Sequence, residues 1–146
     1  MKWLGFGFFA CLCSALAAAD VVQVNEARAT YNYQMFCQGC HTPDGSGANY
    51  VPPLKNSIGY YLRTTAGREY LVRVPGSATS VLKDAALAEV LNWILLNFGG
   101  SSLPASKQFE PYTADEVASL RQRPLEEVFN YRLELLAAAM AVPGKE

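Results

Sequence analysis

The 146-residue sequence has one histidine, four cysteines and a formal net charge of only -1. A single histidine excludes any mononuclear metal site that requires two or more imidazoles. The 12 lysines and arginines are scattered, so the chain has no basic cluster of the kind that binds nucleic acid or anionic lipid. We therefore expect no nucleic-acid partner. With 51% apolar residues the chain is too apolar for a disordered tail. Its length suits one domain of ordinary size, or a small domain plus an extension.

The first twenty residues have the pattern of a secretory signal peptide. Lys2 is followed by an uncharged run from Trp3 to Ala19, which ends in three alanines before Asp20. A short basic start, an apolar middle and an Ala-x-Ala end predict a signal peptide over 1–19 and a periplasmic location. An uncleaved membrane anchor is the alternative, because the run lies at the lower limit for spanning a bilayer. Contact with a membrane would then be made through this segment.

Cleavage after residue 19 would leave two cysteines, Cys37 and Cys40, in an oxidising compartment. With their neighbours they form Cys37-Gln38-Gly39-Cys40-His41, which matches the C-x-x-C-H pattern of haem attachment. Two thiols on adjacent turns can reach the two vinyl groups along one edge of a porphyrin, and the next imidazole can then bind the iron. The motif predicts one covalently attached haem c, bound through Cys37 and Cys40, with His41 as the iron ligand.

Two other uses of this motif are disfavoured by its surroundings. A redox-active C-x-x-C requires a βαβ context, and the chain beyond the signal segment has no convincing strand pattern. A zinc site requires four ligands, and two cysteines with one adjacent histidine cannot complete a tetrahedron.

The remainder of the chain is predicted to be all-α. Apolar periodicity and turn residues indicate, in order, a helix over 27–41, a loop over 42–56, a partly helical stretch over 60–74 interrupted near Gly67 and stopped by Pro75-Gly76, and a helix over 85–98 ended by Gly99-Gly100.

Two further helices are predicted after a polar linker over 101–111. Thr113 and Glu116 belong to a capping box that opens a short helix ending near Gln122. Pro124 is suited to the first turn of a last helix, and the predicted apolar stripe of that helix is Leu125, Phe129, Leu133, Leu136 and Met140. The predicted domains are therefore the signal peptide 1–19, a haem domain 20–100 and a C-terminal helical hairpin 101–146 packed on it.

From about residue 27 to 98 the sequence resembles the class I c-type cytochromes. The resemblance depends on the attachment motif, on the glycine-rich segment 43–47, on Pro52-Pro53-Leu54 and on the helix that contains Trp93. It implies a monohaem cytochrome c-like fold, in which Trp93 packs across the N-terminal helix near the haem edge.

The same resemblance implies roles for residues around the haem. The Pro52 carbonyl would accept a hydrogen bond from the second nitrogen of His41 and so orient the imidazole. Stiffening of a plain loop is the other role open to Pro52. Tyr60, Tyr61 and Arg63 fall where partners of the haem propionates are often found in this family, and ordinary core or surface placement is their alternative.

The sequence departs from the family on the far side of the iron. Class I cytochromes usually supply a methionine just before the last helix of the haem domain, but here that stretch, 73–80, has Val74 at the expected position. Met35 lies too close to Cys37 to reach the far face. The sixth position therefore has three open states: empty or water, Met140, or a less usual ligand such as lysine or tyrosine.

Single-electron transfer is the function that the resemblance implies, by a carrier or a cytochrome subunit whose redox partner is a dehydrogenase or an oxidase. The alternative is a haem protein with an open iron site that binds or senses NO, CO or peroxide. The absence of a second histidine as an acid/base group argues against catalysis, although Arg68 or Arg73 is open to a peroxidase-like role. We expect an electron-transfer protein rather than an enzyme.

Overall fold

The computed structural model describes residues 23–103 and 109–142, which form helices and loops without a strand. Two 3₁₀ segments, Ile58–Arg63 and Gly100–Ser102, lie between the α-helices of these ranges. The α-helices are α1 (Glu26–Phe36), α2 (Gln38–His41), α3 (Thr65–Arg73), α4 (Pro75–Ala78), α5 (Asp84–Phe98), α6 (Ala114–Leu120) and α7 (Phe129–Ala141). The predicted all-α class is confirmed. The predicted signal peptide, 1–19, lies outside the described residues.

Helices α1 and α5 cross each other around three aromatic rings. The ring centroid of Tyr33 lies 5.2 Å from that of Trp93 and 5.1 Å from that of Phe98. The indole Nε1 of Trp93 also donates a hydrogen bond of 2.6 Å to Glu26 in the first turn of α1. The crossing is therefore held by aromatic packing together with a charge-assisted hydrogen bond.

Several helix ends lie where the sequence predicts them, because their signals are local. The Thr113 hydroxyl accepts from the Glu116 backbone N–H at 3.2 Å and opens α6. Helix α5 ends at Phe98 before a glycine, and Asp84 lies in its first turn, where a carboxylate is favoured by the helix dipole. None of the helices in the described part of the chain is both long and apolar enough to cross a membrane.

The predicted helix 27–41 is instead two helices, with a break at Cys37. The predicted interruption near Gly67 is also misplaced, because Gly67 lies within α3 and the chain breaks at Thr64 before it. A Cβ atom on Gly67 would lie 2.2 Å from the Tyr61 carbonyl oxygen, so glycine is required there for close packing of α3 on the segment 58–63. Pro75 ends α3 but also begins α4, since proline is tolerated at a first helical position.

The last helix begins five residues later than Pro124, at Phe129. The Leu125 backbone N–H donates to the Arg73 carbonyl at 2.9 Å, so this stretch pairs with the end of α3 instead of starting a helix. The Glu127 carboxylate then accepts from the backbone N–H groups of Phe129, Asn130 and Tyr131 at 3.0–3.2 Å. It supplies the start signal for α7.

The predicted apolar stripe of the last helix is wrong in its main members. Phe129 and Met140 are each 66% exposed and Leu133 is 49% exposed, whereas Leu135 and Ala139 are buried. The buried face of α7 is therefore the adjacent face, which carries Leu135 and Ala139. The small side chain of Ala139 allows α7 to approach the segment 58–63, where the Arg63 guanidinium donates to the Ala139 carbonyl at 3.4 Å.

The chain from 109 to 120 packs against α3 and α5. The Asn92 amide donates to the Tyr112 carbonyl at 3.0 Å and accepts from the Tyr112 N–H at 2.8 Å. Arg68 binds the Glu116 carboxylate at 2.6 and 2.7 Å and lies over the Tyr112 ring, 4.2 Å from its centroid. Apolar residues beyond position 103 thus belong to the same core as the earlier helices: Tyr112, Val117, Leu120 and Leu135.

Candidate haem site

A largely apolar cavity of about 350 Å³ lies between the attachment motif and the core helices. Cys37, Cys40 and His41 all line it, and α5 contributes aliphatic side chains to its lining: Leu87, Val90, Leu91 and Ile94. The volume is within the range of about 300–1,000 Å³ that is usual for ligand and cofactor pockets. The three residues predicted from the motif are thus brought together on one cavity.

The break at Cys37 gives the motif its shape. The Cys37 N–H donates to the Tyr33 carbonyl at 2.9 Å, which ends α1, and the Cys37 carbonyl then accepts from the N–H groups of Cys40 and His41 at 3.2 and 3.0 Å. This short turn places both thiols and the imidazole at the cavity. Both cysteines are free thiols.

Burial sets the protonation of the motif. Burial, together with the neighbouring Cys40, raises the pKa of the Cys37 thiol to about 11, so this group is a neutral thiol near pH 7. Burial also lowers the pKa of His41, and the nearby Pro52 carbonyl opposes that effect. The result favours the neutral imidazole, which is the form that can bind a metal ion.

Pro52 lies beside His41 at the cavity, as the resemblance implies. Its carbonyl is close enough to affect the pKa of the imidazole, yet the buried Nδ1 of His41 has no hydrogen bond of normal geometry within the described residues. Gly47 permits this approach, because it has a φ of +77° and a Cβ atom there would lie 2.4 Å from the Val51 carbonyl oxygen. The loop thus places an acceptor beside an unpaired donor, an arrangement suited to orienting the imidazole.

Thr42, directly after His41, has an unusual backbone conformation for a side-chain-bearing residue, with φ 63° and ψ 161°. Its hydroxyl lies 2.9 Å from the Asp44 carboxylate and accepts from the Ser46 N–H at 3.1 Å. The Tyr33 hydroxyl donates to the Thr42 carbonyl at 2.5 Å. Contacts from the loop and from α1 therefore hold the residue after His41 in place.

The segment in which the family usually has its methionine also lines the cavity, through Val74, Gly76, Ser77 and Ser80. Among the described residues that line the cavity there is no methionine, no lysine and no second histidine. Met140 is exposed and does not line the cavity, and Met35 is exposed on α1. Neither methionine is therefore placed to bind a metal ion in this cavity.

The segment 58–63 and α3 contribute two tyrosines to the cavity lining. Tyr61 and Tyr70 are buried and stack with their ring centroids 5.0 Å apart and their planes at 9°. Tyr60 and Arg63 do not line the cavity; they pair with each other, the guanidinium 4.7 Å from the ring centroid. No feature of the sequence indicates that Tyr70 lines the cavity, because its position there depends on how α3 packs on the segment 58–63.

The residues present fit a covalently attached haem. Two free thiols, an imidazole favoured in its neutral form and an apolar cavity are the features that such a group requires of its protein. Within the described ranges no cluster of three His, Cys, Asp or Glu side chains could hold a bare metal ion.

Known proteins similar to this chain include two that are named cytochrome c-552, both from Thermus thermophilus. Each is 34% identical to the chain over an alignment of 108 positions, and the alignment covers 61% of this chain. The matches cover 81% and 72% of the two relatives, respectively. No family model and no solved structure matches the chain.

Proposed function

The chain belongs to the c-type cytochromes, and from this premise we propose that it is a periplasmic, monohaem member of class I. Covalently attached haem c and the transfer of electrons to redox partners are properties of that family. The finer proposal is that this chain carries single electrons to or from a dehydrogenase or an oxidase. Its signal-like residues 1–19 support export, and its single C-x-x-C-H motif supports one haem.

One observation carries the proposal: both thiols of the motif and the neutral His41 imidazole line one apolar cavity. Cys37 and Cys40 would form the thioether bonds, and His41 would be the iron ligand. Pro52 would orient the imidazole through Nδ1. When bound, the haem supplies a one-electron change at its iron, and the apolar lining tunes the potential of that change by limiting access of water.

The edge of the cavity near the motif is accessible to a partner. Cys40 is exposed, and the neighbouring Phe36 lines the cavity while remaining partly exposed. A haem attached at Cys40 would have its edge close to the protein surface there, which suits the passage of electrons to another protein.

Purification of the exported protein tests attachment. We expect a chain that begins at Asp20, a mass increased by one haem, and a haem that remains bound through acid-acetone extraction. Cys37→Ser and Cys40→Ser should each sharply lower the yield of holoprotein, whereas Cys13→Ser, the same change outside the motif, should not. Haem that is extractable from the wild-type protein would refute covalent attachment.

His41→Ala tests the ligand assignment. The variant retains both thiols, so thioether bonds can still form, but the ferrous absorption spectrum should change because the proximal nitrogen is lost. A spectrum identical to that of the wild-type protein would contradict the assignment of His41.

A second candidate function is the binding of a small ligand such as CO, NO or peroxide at an open iron site. It is supported by Val74, Ser77 and Ser80 in the segment where a methionine is usual, since none of these side chains is a strong haem ligand. Titration of the ferrous protein with CO separates the two candidates. Ready binding favours an open site, and failure to bind favours a closed, six-coordinate carrier.

A further inference from the structure

One arginine at the end of α6 binds the chain that connects α4 to α5. The Nε of Arg121 donates to the Ala78 carbonyl at 3.2 Å, and its Nη2 donates to the Ser80 carbonyl. Its Nη1 donates both to the Leu82 carbonyl at 2.8 Å and to the Asp84 carboxylate at 2.9 Å. The Arg121 side chain is only 12% exposed. One guanidinium thus holds four alternate residues across this connection.

The chain that Arg121 binds also forms part of the cavity wall. We call residues 74–82 the distal segment, because they include the position at which class I cytochromes usually supply a methionine. Val74, Ser77 and Ser80 of this segment line the cavity. The backbone between α4 and α5 is not helical, so its carbonyl groups require donors from outside the segment. The Arg121 guanidinium supplies such donors.

The chain that follows α6 holds the other end of the distal segment. Arg73, which directly precedes the segment, donates from Nε to the Arg123 carbonyl at 2.8 Å and accepts from the Leu125 N–H at 2.9 Å. Val128 then lines the cavity itself. Residues 121–128 therefore bind the distal segment at both ends and contribute to the cavity wall next to it.

We propose that Arg121 is a positioning residue for the far side of the haem iron, where it fixes the distal segment and so limits the access of small ligands to the iron. The inference rests on the proposed covalent attachment of haem. None of the side chains of Val74, Ser77 and Ser80 is a strong haem ligand, so a bond to the iron does not anchor the segment through these residues, as the family's methionine would. The contacts of Arg121 provide the restraint from the protein side instead.

The restraint has a measurable effect on the rate of ligand binding. A diatomic ligand reaches the iron more easily when the distal segment is displaced, so its binding rate follows the fraction of molecules in which the segment is open. The hydrogen bonds of a guanidinium are charge-assisted, and loss of one of them raises this open fraction about tenfold. Arg121 makes four such bonds to the connection and to Asp84.

Stopped-flow mixing of the ferrous holoprotein with CO measures this rate. Arg121→Gln should bind CO about tenfold faster than the wild-type protein. Arg121→Lys keeps the charge beside Asp84, but its single nitrogen cannot reach three separate carbonyl groups at once, so its rate should lie between the two.

Glu116→Gln is the matched control on the same helix. It removes the carboxylate that binds Arg68 at 2.6 Å and thus weakens the attachment of α6 to α3. The hydrogen-bond partners of Glu116, Arg68 and Thr113, lie outside the distal segment. Its CO binding rate should therefore equal that of the wild-type protein.

A wild-type rate in Arg121→Gln would overturn the proposal, and so would failure of both proteins to bind CO. An equal increase in Glu116→Gln would also overturn it, because the cause would then be a general loosening of the C-terminal extension. If Arg121→Gln yields no folded holoprotein, Arg121→Lys decides, and a wild-type rate in that variant again overturns the proposal. Failure of the proposed function is distinguishable, because it would appear as the absence of covalent haem in the wild-type protein.

Discussion

The buried hydrogen-bonded pair of Asn92 and Tyr112 should contribute a large part of the stability of the chain. Asn92 on α5 is 5% exposed and Tyr112 is 3% exposed. The Asn92 side chain satisfies both backbone polar groups of Tyr112, at 3.0 and 2.8 Å. Replacing Asn92 by alanine leaves a buried N–H and a buried C=O without partners.

Each backbone group left unpaired in the interior costs about 1–3 kcal/mol. The two groups of Tyr112 together predict a loss of about 2–6 kcal/mol in the free energy of unfolding for Asn92→Ala. A domain of this size has a total stability of about 5–15 kcal/mol, so the variant should be severely destabilised.

Urea unfolding of the holoprotein, followed by far-ultraviolet circular dichroism, measures this loss as a lower midpoint at an unchanged slope. Asn97→Ala is the matched control on the same helix, because Asn97 is exposed and donates a single hydrogen bond to the Trp93 carbonyl. We expect it to cost less than about 1 kcal/mol. Equal midpoints for the two variants would refute the reasoning, and with it the view that residues 109–120 are integral to the fold.

Three further outcomes are expected. Val74→Met should produce a thioether–iron charge-transfer band and weaken CO binding, because Val74 lines the cavity where the family has its methionine; an unchanged ferric spectrum would contradict this. Met140→Leu should have the wild-type spectrum, since Met140 is exposed and away from the cavity, and loss of a wild-type thioether band in this variant would show the opposite. Arg28 holds the pKa of Glu89 below 4.5, so their pairing stabilises the fold above that pH and is lost as the pH falls through the lower folded pKa. Arg28→Gln should therefore weaken the pH dependence of stability below pH 4.5, and acid titrations that superimpose would refute this.

The parts of the molecule that sequence could predict are those fixed by local chemistry. The haem motif is recognised from five consecutive residues, whereas the break at Cys37 within the predicted helix 27–41 is not. The helix Asp84–Phe98 and the Thr113 cap depend on residues a few positions apart. Such signals are complete in the sequence, because every partner lies within one or two helical turns.

The C-terminal helix could not be placed correctly because its sequence carries two apolar faces. The stripe with Phe129 and Leu133 has the larger side chains, but the face with Leu135 and Ala139 is the buried one. Which of the two faces is buried depends on contact with the segment 58–63, which is distant from α7 in the sequence. The small side chain of Ala139 permits the close approach of α7 to that segment.

The contacts around Thr42 have a consequence for the speed of electron exchange. An electron transfer is faster when the iron ligands move little between oxidation states, because less energy is spent on rearranging them. The hydrogen bond from Tyr33 to the Thr42 carbonyl joins the residue after His41 to the aromatic cluster of α1 and α5. A ligand fixed by supporting contacts is held in its working geometry before the reaction begins. At His41, the proposed iron ligand, we therefore expect a low reorganisation energy, supported by the same aromatic cluster that holds the two helices together.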